Sequence, residues 1–366
     1  MPSPRVIISG GGTGGHIFPA IAIANAIKEK EPNAEILFVG AQGRMEMEKV
    51  PAAGYPIEGL WISGFQRYLS LKNLMFPIKV IQSLQAAKKI IKKFKPDLVI
   101  GTGGYASGPV LRVATILKIP TLIQEQNSYA GVTNKILGKL VNTVCVAFEG
   151  MERFFPKEKI IITGNPVRKH VVEIDGKREK ALEFFGLEKD KKTVLIIGGS
   201  LGAKAINDAI LPQINRFVEE GVQLIWQTGK VSYQAVSEGT KSLSSKGIKA
   251  HQFIAEMDLA YAAADLVISR AGAIAVTEIV LTKKPAILVP LPSAAEDHQT
   301  KNAIALTQHD AAILVSNAQA ANLLTETTLE LVKNQEELDK LCTNITPFGR
   351  KNSAETIAEA ALKLTK

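Results

Sequence analysis

Cysteine is scarce in this chain. Only Cys145 and Cys342 occur in 366 residues, too few for a disulfide framework or a cysteine-rich metal site. They read as buried thiols of a reducing cytosol. The five histidines, His16, His170, His251, His298 and His309, are scattered without metal-ligand spacing. No Asp-x-Asp pair occurs, the arrangement with which metal-dependent sugar-nucleotide enzymes often hold a cation at a diphosphate. No uninterrupted apolar run reaches the ~18 residues of a membrane span. The opening MPSPRVIISGGG has too short an apolar run for a signal peptide. Aromatics are 6% of residues; few interleave with basic residues and no nucleic-acid motif is present, so a nucleic-acid partner is not expected.

What is present is ordinary globular composition, 46% hydrophobic and 22% charged. The length suits two domains and can bury one or two full cores. The net charge of +9 is unevenly spread: residues 1–164 carry 20 Lys/Arg against 11 Asp/Glu, whereas residues 165–366 carry 24 of each. The excess peaks between 59 and 96, where Arg67, Lys72, Lys79, Lys88, Lys89, Lys92, Lys93 and Lys95 meet no acid. Residues 68–76, Tyr-Leu-Ser-Leu-Lys-Asn-Leu-Met-Phe, are unusually apolar for a loop. Such a segment fits shallow docking on an anionic membrane surface. A solvated helix face is the competing reading.

The pattern runs twice. A β-rich run at 5–9 enters the loop Gly10-Gly11-Gly12-Thr13-Gly14-Gly15-His16, and a helical pattern follows over 17–30. Strands are expected at 35–39, 97–100, 121–124 and 143–147, with a helix over 78–94 and a second glycine loop at 101–109. The second half restarts with a strand at 193–197 and the loop Gly198-Gly199-Ser200-Leu201-Gly202-Ala203. Further strands are expected at 223–227, 251–254, 266–269 and 286–289, and a last helix at 353–364. Strands alternating with helices imply parallel sheets, hence an α/β chain of two doubly wound domains. The expected boundary lies near Gly164, giving domains 1–164 and 165–347, where Gly164-Asn165-Pro166 interrupts the pattern. Ligands on such sheets bind beyond the carboxyl ends of the strands.

Gly10-x-Gly12-x-x-Gly15 formally matches the dinucleotide fingerprint. The acid that should end the second strand is absent from Val39-Gly40-Ala41-Gln42, although Arg44 would suit a phosphorylated ribose. An NADP-dependent oxidoreductase therefore stays open as an alternative. The loop at 198–204 fails as a P-loop, because Ala205 stands where magnesium needs a hydroxyl. Without a metal, a leaving diphosphate must be met by backbone N–H groups, helix N-termini and arginines. Arg270-Ala271-Gly272-Ala273, leading into a helical run, offers an arginine and a helix start together.

Gly11-Gly12-Thr13-Gly14-Gly15-His16-Ile17-Phe18-Pro19 resembles the opening signature of the MurG family of bacterial N-acetylglucosaminyltransferases. The likeness continues at 103–109, in Gln124-Glu125-Gln126-Asn127, in Gly164-Asn165-Pro166-Val167-Arg168 and at 198–203. It ends with Arg270-Ala271-Gly272-Ala273, Glu278 and the block 297–303. These blocks occur in order over about residues 5 to 303. The resemblance implies a GT-B fold, two Rossmann-like domains facing a cleft, with the C-terminal helix of 348–366 packing back on the first. It implies an inverting transfer of N-acetylglucosamine from UDP-GlcNAc to the C4 hydroxyl of the undecaprenyl-linked muramoyl acceptor, lipid I, with no cofactor and no metal. It also implies a peripheral position on the cytoplasmic face of the bacterial inner membrane, beside other cell-wall synthesis proteins.

Residue roles carry over block by block. Phe253 and Ile254 match the segment that meets uracil, Ile254 through its backbone. Glu278 matches the acid that holds the ribose diol, Ser200 the pyrophosphate contact, and Arg168 an arginine of the donor site. Arg270 and Ala273 join the donor set, with Gln299 at the donor sugar. Asn127, Thr13, Gly14 and Gly15 match the face opposite. His16 is the expected general base, with Glu125 as its rival, and His16, Gly104 and Tyr105 are the expected acceptor contacts. Ala275 stands where some relatives have threonine and His298 where some have glutamine, so one hydroxyl contact and the sugar contacts are expected to differ. A non-enzymatic sensor of nucleotide sugars is the remaining alternative.

Overall fold

The structure, a computed structural model, describes residues 3–62, 76–199 and 201–365. Ser200, Arg67, Lys72 and the apolar stretch up to residue 75 lie outside the described residues. The chain divides into two compact units, Met1–Val167 with Arg350–Lys366, and Arg168–Gly349.

Among the described residues the first unit holds seven parallel strands: β1 (Arg5–Gly10), β2 (Glu35–Ala41), β3 (Ile57–Leu60), β4 (Leu98–Gly103), β5 (Thr121–Glu125), β6 (Thr143–Val146) and β7 (Ile160–Ile162). Their order is β3-β2-β1-β4-β5-β6-β7. The central strands are near-continuous apolar runs because helices cover both faces of a parallel sheet. Val6, Ile7, Ile8, Leu98, Val99 and Ile100 are fully buried. On one face the helix Gly14–Lys30 shares a core with the C-terminal helix Ser353–Lys363, through Ile17, Ile23 and Ile27 against Ile357, Ala358 and Ala361. Lys30 and Glu359 pair across them at 2.7 Å. On the other face Ile90, Ile91, Val110, Leu111 and Leu137 pack over the sheet.

The second unit repeats the plan with β8 (Thr193–Ile197), β9 (Gln223–Gln227), β10 (Ile248–His251), β11 (Leu266–Ser269), β12 (Ala286–Leu288) and β13 (Ile313–Leu314). Their order is β10-β9-β8-β11-β12-β13. Trp226, Phe217 and Leu324 are fully buried in its core. The strand expected at 251–254 is β10 instead, shifted to Ile248–His251. Phe253 and Ile254 therefore stand on the loop beyond its carboxyl end. Cys145 is buried, which pushes its thiol up to about 12. Cys342, expected to be buried, is only partly so.

Strand order reverses between β1 and β4 in one sheet and between β8 and β11 in the other. At such a switch point the loops leave in opposite directions and open a ligand crevice. The loops after β1, β4, β8 and β11 are those that the sequence marks with glycine.

Candidate active site

In the first unit the loop after β1 enters the helix Gly14–Lys30, whose first turn has no acid and no side-chain cap. The His16 and Ile17 N–H groups turn back to the Thr13 carbonyl at 3.1 and 3.2 Å, and no acidic side chain in that turn offsets the positive dipole end. Thr13 is the N-cap, Gly14 and Gly15 open the helix, and His16 follows. The loop rests on a carboxylate that sequence reasoning passed over. Glu46 is fully buried, and its two oxygens accept from the Gly12 N–H at 2.9 Å and the Ala41 N–H at 3.0 Å. The acid missing from the end of β2 is therefore supplied five residues later, but it is spent on the loop itself. Gly104 has φ +86, and a Cβ there would lie 2.2 Å from the Gly11 carbonyl oxygen. Only glycine lets the β4 loop run this close to the β1 loop. Tyr105, beside it, is half exposed.

His16 Nδ1 lies 3.1 Å from Gln126 Oε1, and the Thr102 hydroxyl donates to the His16 carbonyl at 2.9 Å. Glu125, at the end of β5, is 2% exposed. Its Oε1 accepts from the Asn127 N–H at 3.1 Å and from Asn127 Nδ2 at 3.2 Å. Its Oε2 accepts from the Gly131 N–H at 3.1 Å and from Asn134 Nδ2 at 2.9 Å. Both oxygens are committed to the segment 127–134. Glu125, the expected rival base, is thus a buried carboxylate that accepts four hydrogen bonds from its own chain.

In the second unit the loop after β8 presses its backbone on the loop after β9. Gly202 has φ +90, and a Cβ there would meet the Thr228 carbonyl oxygen at 2.2 Å. Phe253 is exposed and Ile254 buried, and the Ile254 N–H donates to Gln227 Oε1 at 3.1 Å. The backbone of Ile254, expected to meet uracil, thus has its N–H on an internal partner.

Glu278 sits on the helix Ala273–Leu281, which starts after Gly272 with no acid in its first turn and no side-chain cap. The fully buried Tyr261 donates its hydroxyl to Glu278 Oε2 at 3.1 Å. Burial pushes the Glu278 carboxyl up to about 7, against the opposing pull of the Arg168 charge and the Tyr261 hydrogen bond. Burial, and then the Glu278 charge, hold the Tyr261 hydroxyl well above its ordinary range. Tyr261 was not expected in the site; a lone buried tyrosine carries no sequence signal.

Arg270, expected at the diphosphate, has internal partners on one side of its guanidinium. Its Nη1 donates to the carbonyls of Val289 at 3.0 Å and Pro290 at 3.2 Å, and to Asn317 Oδ1 at 2.8 Å. Burial lowers its proton affinity. The side chain ties down the loop after β12. That loop ends at Glu296 and Asp297, two successive non-glycine residues in the left-handed region at φ 55 and 53. Each such residue costs about 1–3 kcal/mol, a strain that clusters at ligand sites. The Thr300 hydroxyl holds Asp297 Oδ1 at 2.7 Å and Lys301 Nζ holds the Glu296 carbonyl at 2.8 Å. Gln299 follows, its Oε1 accepting from the Leu291 N–H at 3.0 Å, which leaves its NH2 end as the donor to offer. Among the described residues no group of three or more His, Cys, Asp or Glu could hold a metal ion.

Comparison with known proteins agrees over the whole chain. The glycosyltransferase family 28 N-terminal domain matches residues 6–146, and the family 28 C-terminal domain matches residues 193–359. A UDP-N-acetylglucosamine–N-acetylmuramyl-(pentapeptide) pyrophosphoryl-undecaprenol N-acetylglucosamine transferase of Cytophaga hutchinsonii is 55% identical over 360 residues, 98% of this chain and 96% of that protein. A transferase of the same name from Parabacteroides distasonis is 52% identical over 364 residues, 100% of this chain and 99% of that protein. The crystal structure of Acinetobacter baumannii MurG superposes with a TM-score of 0.77 at 28% identity, covering 98% of this chain and 99% of that one. A Neisseria meningitidis UDP-GlcNAc 2-epimerase, 18% identical with a TM-score of 0.67 over 98% of this chain and all of that one, shares the fold alone. With its two parallel sheets and two family 28 domains, the chain has an α/β two-domain GT-B fold and belongs to the MurG family of peptidoglycan N-acetylglucosaminyltransferases.

Proposed function

We propose that the protein carries out its family's transfer of N-acetylglucosamine, from UDP-GlcNAc to the muramyl-pentapeptide pyrophosphoryl-undecaprenol acceptor, in one inverting displacement that uses no metal. The C4 hydroxyl of the muramoyl sugar attacks the anomeric carbon from the face opposite UDP. The bond from that carbon to the diphosphate oxygen breaks, and the α-linked donor becomes a β-linked product. His16 takes the hydroxyl proton, a role worth about 10²–10⁴ in rate. Glu125 stays with its loop. Thr13, Gly14, Gly15, Asn127, Gly104 and Tyr105 belong to the same unit and serve substrate binding there.

UDP-GlcNAc belongs to the second unit. Phe253 covers uracil, and Ile254 reads it through its backbone carbonyl, since its N–H is held by Gln227. Glu278 accepts from the ribose diol. The departing diphosphate is met by the loop at 198–203 with Ser200, by Arg168, and by the uncompensated helix start at Ala273. Arg270 acts from behind by holding the loop that presents Gln299 to the sugar. The observation that carries the donor half is Glu278. A carboxylate buried deeply enough to reach about 7 is costly to the fold, and the ribose diol supplies the donors that repay its burial.

The acceptor is anchored in lipid, and the first unit carries a surface suited to that. On the helix Phe76–Phe94, Ile78 and Ile81 are exposed, and Lys79 Nζ lies 5.2 Å from the ring centre of the exposed Trp61. Apolar side chains ringed by lysines favour docking on the anionic cytoplasmic face of the bacterial plasma membrane. No described helix is long and apolar enough to cross it. The inverting course is tested by the anomeric configuration of the disaccharide product, read by NMR: β is expected, and an α product overturns it.

A further inference from the structure

The amide of Gln126 is 1% exposed and lies among oxygen acceptors. Its Nε2 donates to the Thr102 carbonyl at 2.7 Å, to the Gln124 carbonyl at 3.2 Å and to Gln124 Oε1. Neighbouring amides fix the same sense. Gln124 Nε2 donates to Asn165 Oδ1 at 2.9 Å, and Asn165 Nδ2 donates to the Gln126 carbonyl at 2.9 Å. Turning the Gln126 amide over would set its oxygen against two backbone carbonyls, neither of which can donate, and would forfeit their hydrogen bonds. The orientation is therefore determined by the network. Gln126 Oε1 is the atom that faces His16 Nδ1, at 3.1 Å.

An amide oxygen has no proton to give, so the proton of that contact sits on His16 Nδ1. We infer that Gln126 is a positioning residue that locks His16 as the Nδ1–H tautomer and so keeps the lone pair on Nε2, the atom that takes the acceptor's proton. The inference rests on His16 being the base. It gives Gln126 the orienting duty that a buried carboxylate has in a hydrolase triad, but with a neutral acceptor that adds no charge beside the ring. In the reaction the C4–O–H proton passes to Nε2 and the ring becomes an imidazolium. Nδ1–H remains donated to Gln126, and the Nε2 proton returns to solvent after product leaves. Thr102 serves both ends of the lock, its carbonyl holding the Gln126 amide and its hydroxyl the His16 backbone.

The direct test is 15N NMR of histidine-labelled wild-type protein, with His16 assigned by comparison with His16→Ala. His16 is expected to show a protonated Nδ1 and an unprotonated Nε2 when neutral. A protonated Nε2 overturns the inference. In Gln126→Met, which is close in shape but lacks the acceptor, the two tautomers mix. Then kcat falls at least about tenfold, up to the roughly 10⁴-fold cost of a wrong tautomer in a serine protease triad, while UDP-GlcNAc affinity is unchanged. A folded Gln126→Met with wild-type kcat and a mixed tautomer also overturns it. Failure of the base reading looks different: His16→Ala then keeps its turnover while the wild-type spectrum still shows Nδ1–H.

Discussion

Replacing Glu278 by glutamine separates the cost of the donor site from its use. Burial raises this carboxyl from an ordinary 4.5 to about 7. The folded chain therefore holds the proton more tightly than the unfolded chain does. Stability from this group is fully present below 4.5 and is lost as pH rises through about 7. At 1.36 kcal/mol per pH unit, the ionised form costs the fold about 3 kcal/mol at about pH 8, against roughly 1 kcal/mol at about pH 5. Glutamine keeps the shape and can still accept from the Tyr261 hydroxyl, but it never ionises. Glu278→Gln is thus expected to stabilise the ligand-free second unit by about 3 kcal/mol at about pH 8, or roughly 6–12 °C in Tm. At about pH 5 the gain shrinks to about 1 kcal/mol. Fluorescence of Trp226, fully buried in this unit, reports the transition in a Trp61→Phe background. The same change removes a charged acceptor from the ribose diol and weakens UDP-GlcNAc binding by about 100-fold, from hydrogen bonds worth roughly 1.5–3 kcal/mol each. A variant less stable than wild type at the higher pH, or one whose gain is equal at both, refutes the reasoning.

Two further outcomes follow from the geometry. His16→Ala lowers kcat about 10²–10⁴-fold with donor affinity intact, whereas Glu125→Ala strips a partner from four donors and shows first as a lower Tm, read by paired thermal unfolding and steady-state kinetics. Ile81→Glu on the exposed face of the helix Phe76–Phe94 weakens co-sedimentation with vesicles of anionic phospholipid, while transfer to a short-chain soluble acceptor analogue is unchanged.

The parts of the site written in local chemistry were legible in the sequence. The glycine loops declare close backbone approach, and Gly104 and Gly202 make it against the Gly11 and Thr228 carbonyls. The strand at β10 was misplaced by three residues because His251-Gln252-Phe253-Ile254 is as apolar as the strand before it. The short strands β3, β7 and β13 carried too few residues for a periodic signal. Roles that depend on distant partners were hidden. Arg270 beside a helix start suggested an anion contact, but its acceptors come from Val289, Pro290 and Asn317. Glu125 stood in a motif beside the expected base, and only the fold brings Gly131 and Asn134 to its carboxylate. Glu46 and Gln126 act on residues 34 and 110 positions away, a distance that no spacing rule spans.

The central claim is that this chain moves N-acetylglucosamine to a lipid-linked muramoyl acceptor with protein groups alone. The measurement that addresses it most directly is transfer of labelled N-acetylglucosamine from UDP-GlcNAc to a lipid I analogue, run with and without EDTA. The same rate of labelled product is expected in both. Transfer that stops in EDTA and returns with a divalent cation would contradict it.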